Sequence, residues 1–209
     1  MIRRIARVVV ILLALTGAAA CVVVAWLVSQ GASARPAPGA LETAVARRLR
    51  AAAIPRAARG LRNPVPASPE ALNAGLEHFA DHCATCHAND GSGDTEMGRG
   101  LYPRSPDMRL AATQSLTDGE LFYIIENGVR LTGMPAWGTG TPEGEQASWH
   151  LVRFIRKLPK RTPDEIERMR ELNPKSAAEL REEEDARRFL AGENNAPKPA
   201  PAHKHGGRE

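Results

Sequence analysis

One short motif constrains the fold of this chain more than any other feature: Cys83-Ala84-Thr85-Cys86-His87. Two intervening residues allow one helical turn to present both cysteine sulfurs on one side, and a histidine follows directly. In a C-x-x-C-H sequence each thiol adds to a vinyl group of haem, and the adjacent imidazole ligates the iron. The motif therefore predicts one covalent haem c bound by Cys83, Cys86 and His87.

Two other sites use a C-x-x-C pair, namely a thioredoxin-type redox centre and half of a zinc site. A thioredoxin-type centre needs a preceding strand and a βαβ context, and the sequence before residue 83 has neither. A structural zinc site needs more Cys or His ligands, but the remaining cysteine, Cys21, lies in a long apolar segment. Both alternatives are therefore weaker than haem attachment.

The segment before the motif is predicted to be a helix. Ser68 is a suitable N-cap and Pro69 suits the first helical position. Gly75 inside such a helix costs up to about 1 kcal/mol against alanine, so it indicates close packing against a second helix. The face that leads into the motif carries apolar residues every three or four positions: Leu72, Gly75 or Leu76, Phe79 and Cys83.

Two further helices follow the motif. Thr117-Asp118-Gly119-Glu120 is a capping box, and Gly128 marks the end of that helix. The next helix ends at Pro159 and has one apolar stripe: Trp149, Val152, Ile155 and Leu158. No stretch alternates apolar and polar residues, and seven of the nine aromatic residues fall between positions 79 and 154. An all-α core within about residues 63–160 is therefore predicted.

A second axial ligand is expected on a loop after the helix that Gly128 ends. Met134, between Gly133 and Pro135, supplies a thioether sulfur, which is a soft donor that stabilises ferrous iron. Met97 and Met108 compete for this role, but they lie only ten and twenty-one residues after His87. Because the chain there still has to cover the histidine side of the haem, Met134 is preferred as the second ligand. The alternative is that Met134 only fills space in the core.

The N-terminus is predicted to be a single membrane-spanning helix over about residues 8–28. These 21 residues are uncharged, and at 1.5 Å per residue they span about 31 Å, which matches a bilayer core. Three preceding arginines favour a cytoplasmic N-terminus. A cleaved signal peptide ending near Ala32-Ser33-Ala34 is the alternative, as is a lipoprotein at Cys21, but the apolar run exceeds a signal core and continues past Cys21.

Residues 35–67 form an Ala/Arg/Pro-rich linker with a short helix predicted over Leu41 to Ala53. It is either a spacer or a basic strip that contacts anionic headgroups or an acidic partner. The chain has a formal charge of +4, but residues 1–62 carry ten arginines and one acid, so the remainder carries −5. A nucleic-acid-binding protein would place the positive charge on its folded domain, so no nucleic-acid partner is expected.

Residues 161–209 form a charged C-terminal extension. Helices are predicted near 163–172 and 176–190. Four apolar residues on them are candidate docking points on the core: Ile166, Met169, Leu180 and Leu190. The last stretch lacks apolar periodicity and is expected to be disordered. His203 and His205 form a possible transition-metal site there, although two histidines at a polar terminus need no special role.

The order helix, C-x-x-C-H, loop, helix, G-M-P, helix resembles class I c-type cytochromes, particularly the bacterial membrane-anchored monohaem kind. The resemblance covers about residues 68–159. It implies thioethers at the two cysteines, His87 as proximal ligand and Met134 as distal ligand. It also implies a proline carbonyl that orients His87, for which Pro103 and Pro106 are both candidates, and a glycine-rich turn at Gly91 and Gly93.

These features predict an all-α chain in four parts: a membrane anchor (1–34), a linker (35–67), a central domain (68–160) and the extension (161–209). The expected function is one-electron transfer with redox proteins as donor and acceptor, not enzymatic catalysis. The alternatives are a haem c subunit of a larger respiratory membrane complex, and an enzyme or ligand sensor with an open iron. Because haem c attachment requires export, the central domain should face the periplasm from the cytoplasmic membrane.

Overall fold

The computed structural model describes residues 2–29, 31 and 33–191. Within them the fold is all-α and contains no strand, which confirms the predicted fold class. His203 and His205 and the stretch around them lie outside the described residues. The helices, in chain order, are α1 (Ile2–Ser29), α2 (Ala40–Ala53), α3 (Arg56–Arg59), α4 (Pro69–His78), a π-helical turn (Phe79–Cys83), α5 (Ala84–His87), α6 (Glu96–Gly100), α7 (Ala111–Gln114), α8 (Asp118–Asn127), α9 (Pro142–Lys157), a 3-10 turn (Leu158–Lys160), α10 (Pro163–Leu172) and α11 (Ala177–Leu190).

Helix α1 has the length and composition of a membrane span. It begins six residues before the predicted apolar segment and includes the three basic residues that precede it. None of its residues is buried against the rest of the chain. It is the one helix among the described residues that is long and apolar enough to cross a bilayer.

The centre of the fold is the packing of α4 against α9, and it confirms the role predicted for Gly75. A Cβ atom on Gly75 would lie 2.8 Å from the Cβ of Phe154 and closer still to the carbonyl oxygen of His150. The Phe79 and Phe154 rings pack at 5.0 Å between centroids, and both are fully buried. Burial of each such ring contributes about 1.5–3 kcal/mol, so this crossing is a major source of stability.

The predicted helix starts are confirmed by their hydrogen bonds. The Ser68 hydroxyl accepts from the Ala71 backbone N–H at 3.2 Å. Thr117 and Glu120 form the predicted capping box, because each side chain accepts from the other residue's backbone N–H, at 3.1 and 2.8 Å. Gly128 ends α8 with a φ of +64°. The stripe predicted on the last core helix is buried as expected, together with Leu151 and Phe154.

The core extends beyond both ends of the segment expected from the aromatic residues. On the N-terminal side Ile54 and Ala58 are buried. On the C-terminal side Met169 of α10 is fully buried in the central core, as predicted for a docking point. Leu180 and Leu190 of α11 are instead 53% and 84% exposed, so the prediction that they dock on the core is wrong. Helix α10 therefore packs with the central domain, while α11 buries none of its residues.

Candidate cofactor site

The C-x-x-C-H motif follows a local change in helix geometry. Helix α4 passes into one π-helical turn, Phe79–Cys83, and then into the single α-helical turn Ala84–His87. An inserted π turn rotates the residues that follow it relative to the α-helical face, and such turns often occur at functional sites. Phe79 thus points into the α4–α9 core while Cys83 remains only partly buried.

A glycine turn reverses the chain directly after His87. The Gly93 backbone N–H donates to the His87 carbonyl at 2.8 Å. Gly91 and Gly93 have φ angles of +77° and +73°, which L side chains rarely adopt. A Cβ on Gly93 would also lie 3.1 Å from the Pro106 carbonyl oxygen. The turn predicted at these two glycines is therefore present, and it brings the Pro106 backbone close to the motif.

Thr95 and Gly98, which the sequence analysis did not assign to the site, contact the motif from the first turn of α6. The Thr95 hydroxyl donates to the Thr85 carbonyl at 2.7 Å and accepts from the Gly98 N–H at 2.8 Å, so it also caps α6. Gly98 lies so close to the Cys86 carbonyl that a Cβ there would clash with it. The signal was present in the sequence, because Thr95 followed by Glu96 is a helix-start pattern.

The surroundings of both motif cysteines favour the neutral thiol. Burial, with a smaller effect of Cys86, raises the pKa of Cys83 to about 12, and burial also raises the pKa of Cys86. A raised thiol pKa disfavours the thiolate that acts as a metal ligand or as a redox nucleophile. A thioether is uncharged, so its sulfur fits these surroundings without an ionised group.

The ring of His87 is also held in its neutral form. Burial lowers the pKa of His87, and the Pro106 carbonyl opposes this by raising it. The Nδ1 atom is buried and lacks a well-aligned hydrogen-bond partner among the described residues. Of the two proline carbonyls considered from the sequence, the one that acts on this ring is Pro106. A bond from Nδ1 to a carbonyl would leave Nε2 free as a metal ligand.

Met134 lies on a loop that is tied to the end of α8. The Val129 N–H donates to the Met134 carbonyl at 3.0 Å, and the Met134 N–H donates to the Thr132 hydroxyl at 3.1 Å. Further along, the Trp137 N–H donates to the Ile125 carbonyl at 3.0 Å. These bonds fix the backbone on both sides of Met134, whose side chain is half-buried.

Two contacts bring this loop to the C-x-x-C-H segment. The Trp137 ring packs edge-on against the ring of His82, with centroids 5.4 Å apart, directly before Cys83. Leu101, which follows α6, packs on Gly133: a Cβ there would lie 2.5 Å from Leu101 Cδ2. The loop therefore packs on the π turn directly before the motif and on the residue directly after α6.

The two competing methionines have different surroundings. Met97 is 53% exposed on α6, and Met108 is buried in the hydrophobic core. Met108 is held there by its backbone, because its N–H donates to the Gly91 carbonyl at 2.8 Å. Neither methionine lies on the loop that packs on His82 and Leu101.

The donor set at this site fits haem c. Two neutral thiols lie one turn apart and a neutral imidazole follows them, as a thioether-bound porphyrin with an iron ligand requires. Gly98 allows backbone to lie against the motif, where a side chain would clash with the Cys86 carbonyl, and Gly93 allows the Ser105–Pro106 backbone to lie against the turn that follows it. Among the described residues there is no cluster of three or more His, Cys, Asp or Glu side chains suited to a bare metal ion.

Comparison with known proteins identifies this part of the chain. Residues 70–155 match the model of the family described as "Cytochrome C oxidase, cbb3-type, subunit III". That segment is a cytochrome c domain, and its all-helical structure is consistent with the class I fold. The cofactor of a cytochrome c domain is haem c.

A curated relative supports the same assignment. The chain is 35% identical over 89 residues to the cbb3-type cytochrome c oxidase subunit FixP of Azorhizobium caulinodans. The match covers 38% of this chain and 25% of the relative. The chain thus matches about a quarter of the length of that subunit.

Proposed function

We propose that this protein transfers single electrons through one haem c, bound by Cys83 and Cys86 and ligated by His87 and Met134. The observation that carries the proposal is the placement of the Met134 loop. It packs on His82, directly before Cys83, through Trp137, and on Leu101, directly after α6, through Gly133. The alternative methionines are exposed or packed in the core.

Each residue has a distinct role in this proposal. Cys83 and Cys86 anchor the macrocycle covalently, and the Pro106 carbonyl orients the His87 ring. Met134 would supply the second protein ligand to the iron, from a loop that is held by the bond from the Met134 N–H to the Thr132 hydroxyl. Haem with both axial positions filled supplies one-electron chemistry and binds no substrate at the iron. The proposal is therefore electron transfer and not catalysis at this haem.

We further propose that the domain is tethered to the cytoplasmic membrane by α1 and faces the periplasm. Arg3, Arg4 and Arg7 precede the apolar segment, which favours a cytoplasmic N-terminus. The domain at the other end then lies on the side where haem c is attached. In this arrangement residues 35–67 form the linker, and α10 completes the central domain through Met169.

The second candidate function is that of a haem c subunit in a respiratory oxidase complex. The specific observation in its favour is the similarity to a family and a relative that are both named as subunits of cbb3-type cytochrome c oxidase. In that setting this haem would exchange electrons with redox centres of the complex and with the cytochrome that is the substrate of the complex. In both settings the chain's own site performs the same one-electron step.

The decisive experiment is a haem count and a redox titration of the full-length protein purified from membranes. The expected result is one covalent haem per chain and reversible reduction with a one-electron Nernst slope. A C83S/C86S variant should lose covalent haem, whereas Cys21→Ser should keep it, because Cys21 lies in α1 far along the chain. A haem count other than one, or loss of haem in the Cys21 variant, would contradict the proposal.

The two settings are distinguished by mild solubilisation of native membranes. A subunit of a complex should purify with oxidase subunits in fixed stoichiometry and support oxygen-dependent oxidation of its haem. A free carrier should purify alone and retain its titration behaviour.

A further inference from the structure

Helix α2 has an apolar face that nothing in the described chain covers. Leu41, Val45 and Leu49 are 79%, 48% and 64% exposed. Four-residue steps advance about 40° around a helix, so these three side chains form one stripe about 80° wide. A solvent-exposed stripe of large apolar side chains on a helix indicates a missing partner.

The opposite side of α2 belongs to the protein. Thr43 and Arg50 are half-buried against the rest of the chain. Ile54, which caps the helix, is 3% exposed, and the Arg59 guanidinium donates to its carbonyl at 3.2 Å. The Tyr102 hydroxyl donates at 2.5 Å to Glu42, which lies on the same side of the helix as Leu49, at the edge of the stripe. The protein therefore holds α2 by the side opposite the stripe and at one edge of it, and presents the leucine and valine side chains outward.

One basic residue borders the stripe. Three arginines lie on the helix, and Glu42 is its only acidic residue. Arg48 lies beside Leu41 and Val45 on the helical surface, so its long side chain can extend beyond the apolar stripe while its guanidinium remains in a polar layer. An apolar face with a basic residue at its edge is compatible with a helix lying in the interface of a membrane.

We propose that α2 lies in the headgroup region of the same bilayer that α1 spans, with Leu41, Val45 and Leu49 in the acyl boundary. Ten residues separate the end of α1 at Ser29 from the start of α2 at Ala40. A chain of that length reaches at most about 36 Å, so α2 begins within that distance of the end of α1 and can reach the membrane surface. Arg48 beside the stripe adds electrostatic attraction to anionic lipid headgroups.

This contact gives the central domain a fixed orientation on the membrane. The segment that α2 holds through Tyr102 directly follows Leu101, which packs on Gly133 beside Met134. The side of the domain that carries the Met134 loop is thereby kept at a set position relative to the bilayer. The inference depends on α1 as an anchor but not on the identity of the iron ligands.

The test places a photoreactive benzoylphenylalanine in the full-length protein at Val45, at Leu49 or at Arg47, in native membranes. Arg47 is the matched control, because it lies about 160° around the helix from Leu49. After illumination, mass spectrometry should find lipid adducts at positions 45 and 49, at least five times more than at 47. Staining for covalent haem checks that each variant is folded.

Adducts to another protein at positions 45 and 49, or equal lipid yields at all three positions, would overturn the proposal. A complementary measurement uses L49C and R47C in a Cys21→Ser background, reconstituted in vesicles with anionic lipid. A membrane-impermeant maleimide should label position 49 at least tenfold more slowly than position 47. Failure of the anchor itself gives a different result, because the haem-containing protein would then appear in the soluble fraction.

Discussion

Gly128 lies directly against the backbone of Met134. A Cβ atom on Gly128 would stand 2.7 Å from the Met134 carbonyl oxygen and 2.6 Å from the Pro135 carbonyl carbon. Its φ of +64° with a ψ of −168° is accessible only to glycine. One residue therefore ends helix α8 and also makes room for the loop that carries the proposed distal ligand.

Gly128→Ala should displace the Met134 loop. The added methyl group both strains the backbone and overlaps the loop, at a cost of about 1–3 kcal/mol for the conformation alone. We expect covalent haem to be retained while the sulfur-to-iron charge-transfer band weakens and carbon monoxide begins to bind the reduced protein. Optical spectroscopy measures both effects.

Gly140→Ala is the matched control. Gly140 also has a positive φ, +71°, but no atom lies within 4 Å of a Cβ built there. Gly140→Ala should lose a similar amount of stability through backbone strain, yet it should keep the charge-transfer band unchanged. Equal loss of the band in both variants would mean that strain, and not crowding of Met134, is responsible.

Most of the architecture was predictable because it depends on local patterns. The caps at Ser68 and Thr117, the helix end at Gly128 and the stripe along α9 each follow from residue chemistry within a few positions. Close packing at Gly75 was also predictable, because a glycine inside a helix implies a nearby backbone.

Gly75→Ala should weaken the packing of α4 against α9. The methyl group would overlap the His150 carbonyl and the Phe154 side chain, neither of which can move without shifting a helix. We expect a loss of about 3 kcal/mol in the free energy of unfolding, measured by denaturant titration of the haem-loaded protein in detergent. Gly100→Ala, which meets no atom within 4 Å, should stay within about 0.5 kcal/mol of wild type.

The ion pairs of Glu165 predict a pH-dependent term in stability. Burial raises its pKa, but the bond from Lys157 Nζ at 2.8 Å, the Thr162 N–H and the charge of Arg161 outweigh this and lower it to about 2. The contribution is therefore complete above the unfolded value of 4.5 and disappears as the pH falls toward 2. Glu165→Gln should cost about 2 kcal/mol at pH 7, less than the full shift because the group is partly solvated.

The difference in the free energy of unfolding between wild type and Glu165→Gln should shrink steadily between pH 4.5 and pH 2 in denaturant titrations. Glu167→Gln on the same helix is the control, because Glu167 and its partner Arg170 are both 64% exposed. It should change stability little at any pH. A pH-independent cost of Glu165→Gln would show that the carboxylate charge is not the source.

Met169 tests where the folded domain ends. Its complete burial predicts that Met169→Ala costs about 2–5 kcal/mol, since it leaves a cavity in the core. Leu180→Ala, at a side chain that is 53% exposed on α11, should cost less than about 0.5 kcal/mol. Thermal unfolding of the two variants would measure the two losses of stability. Equal losses would contradict the conclusion that α10 packs in the core and α11 does not.

The features that escaped prediction depend on contacts between distant segments. Leu180 and Met169 both occur on charged helices, and local sequence does not distinguish the one that packs from the one that does not. The support of Cys86 by Gly98 and of Met134 by Gly128 arises where two loops meet. The π turn before Cys83 likewise has no separate sequence pattern, because it depends on how α4 packs against α9.

The most direct test of the proposed ligand set compares optical spectra of wild type, Met134→Ala and Met97→Ala, each oxidised, reduced and reduced with carbon monoxide. Wild type and Met97→Ala should give low-spin c-type spectra with the sulfur-to-iron charge-transfer band and bind no carbon monoxide. Met134→Ala should lose the band and bind carbon monoxide while it keeps its covalent haem. A carbon monoxide-reactive wild type, or a Met134→Ala variant that keeps the band, would contradict His87 and Met134 as the axial ligands.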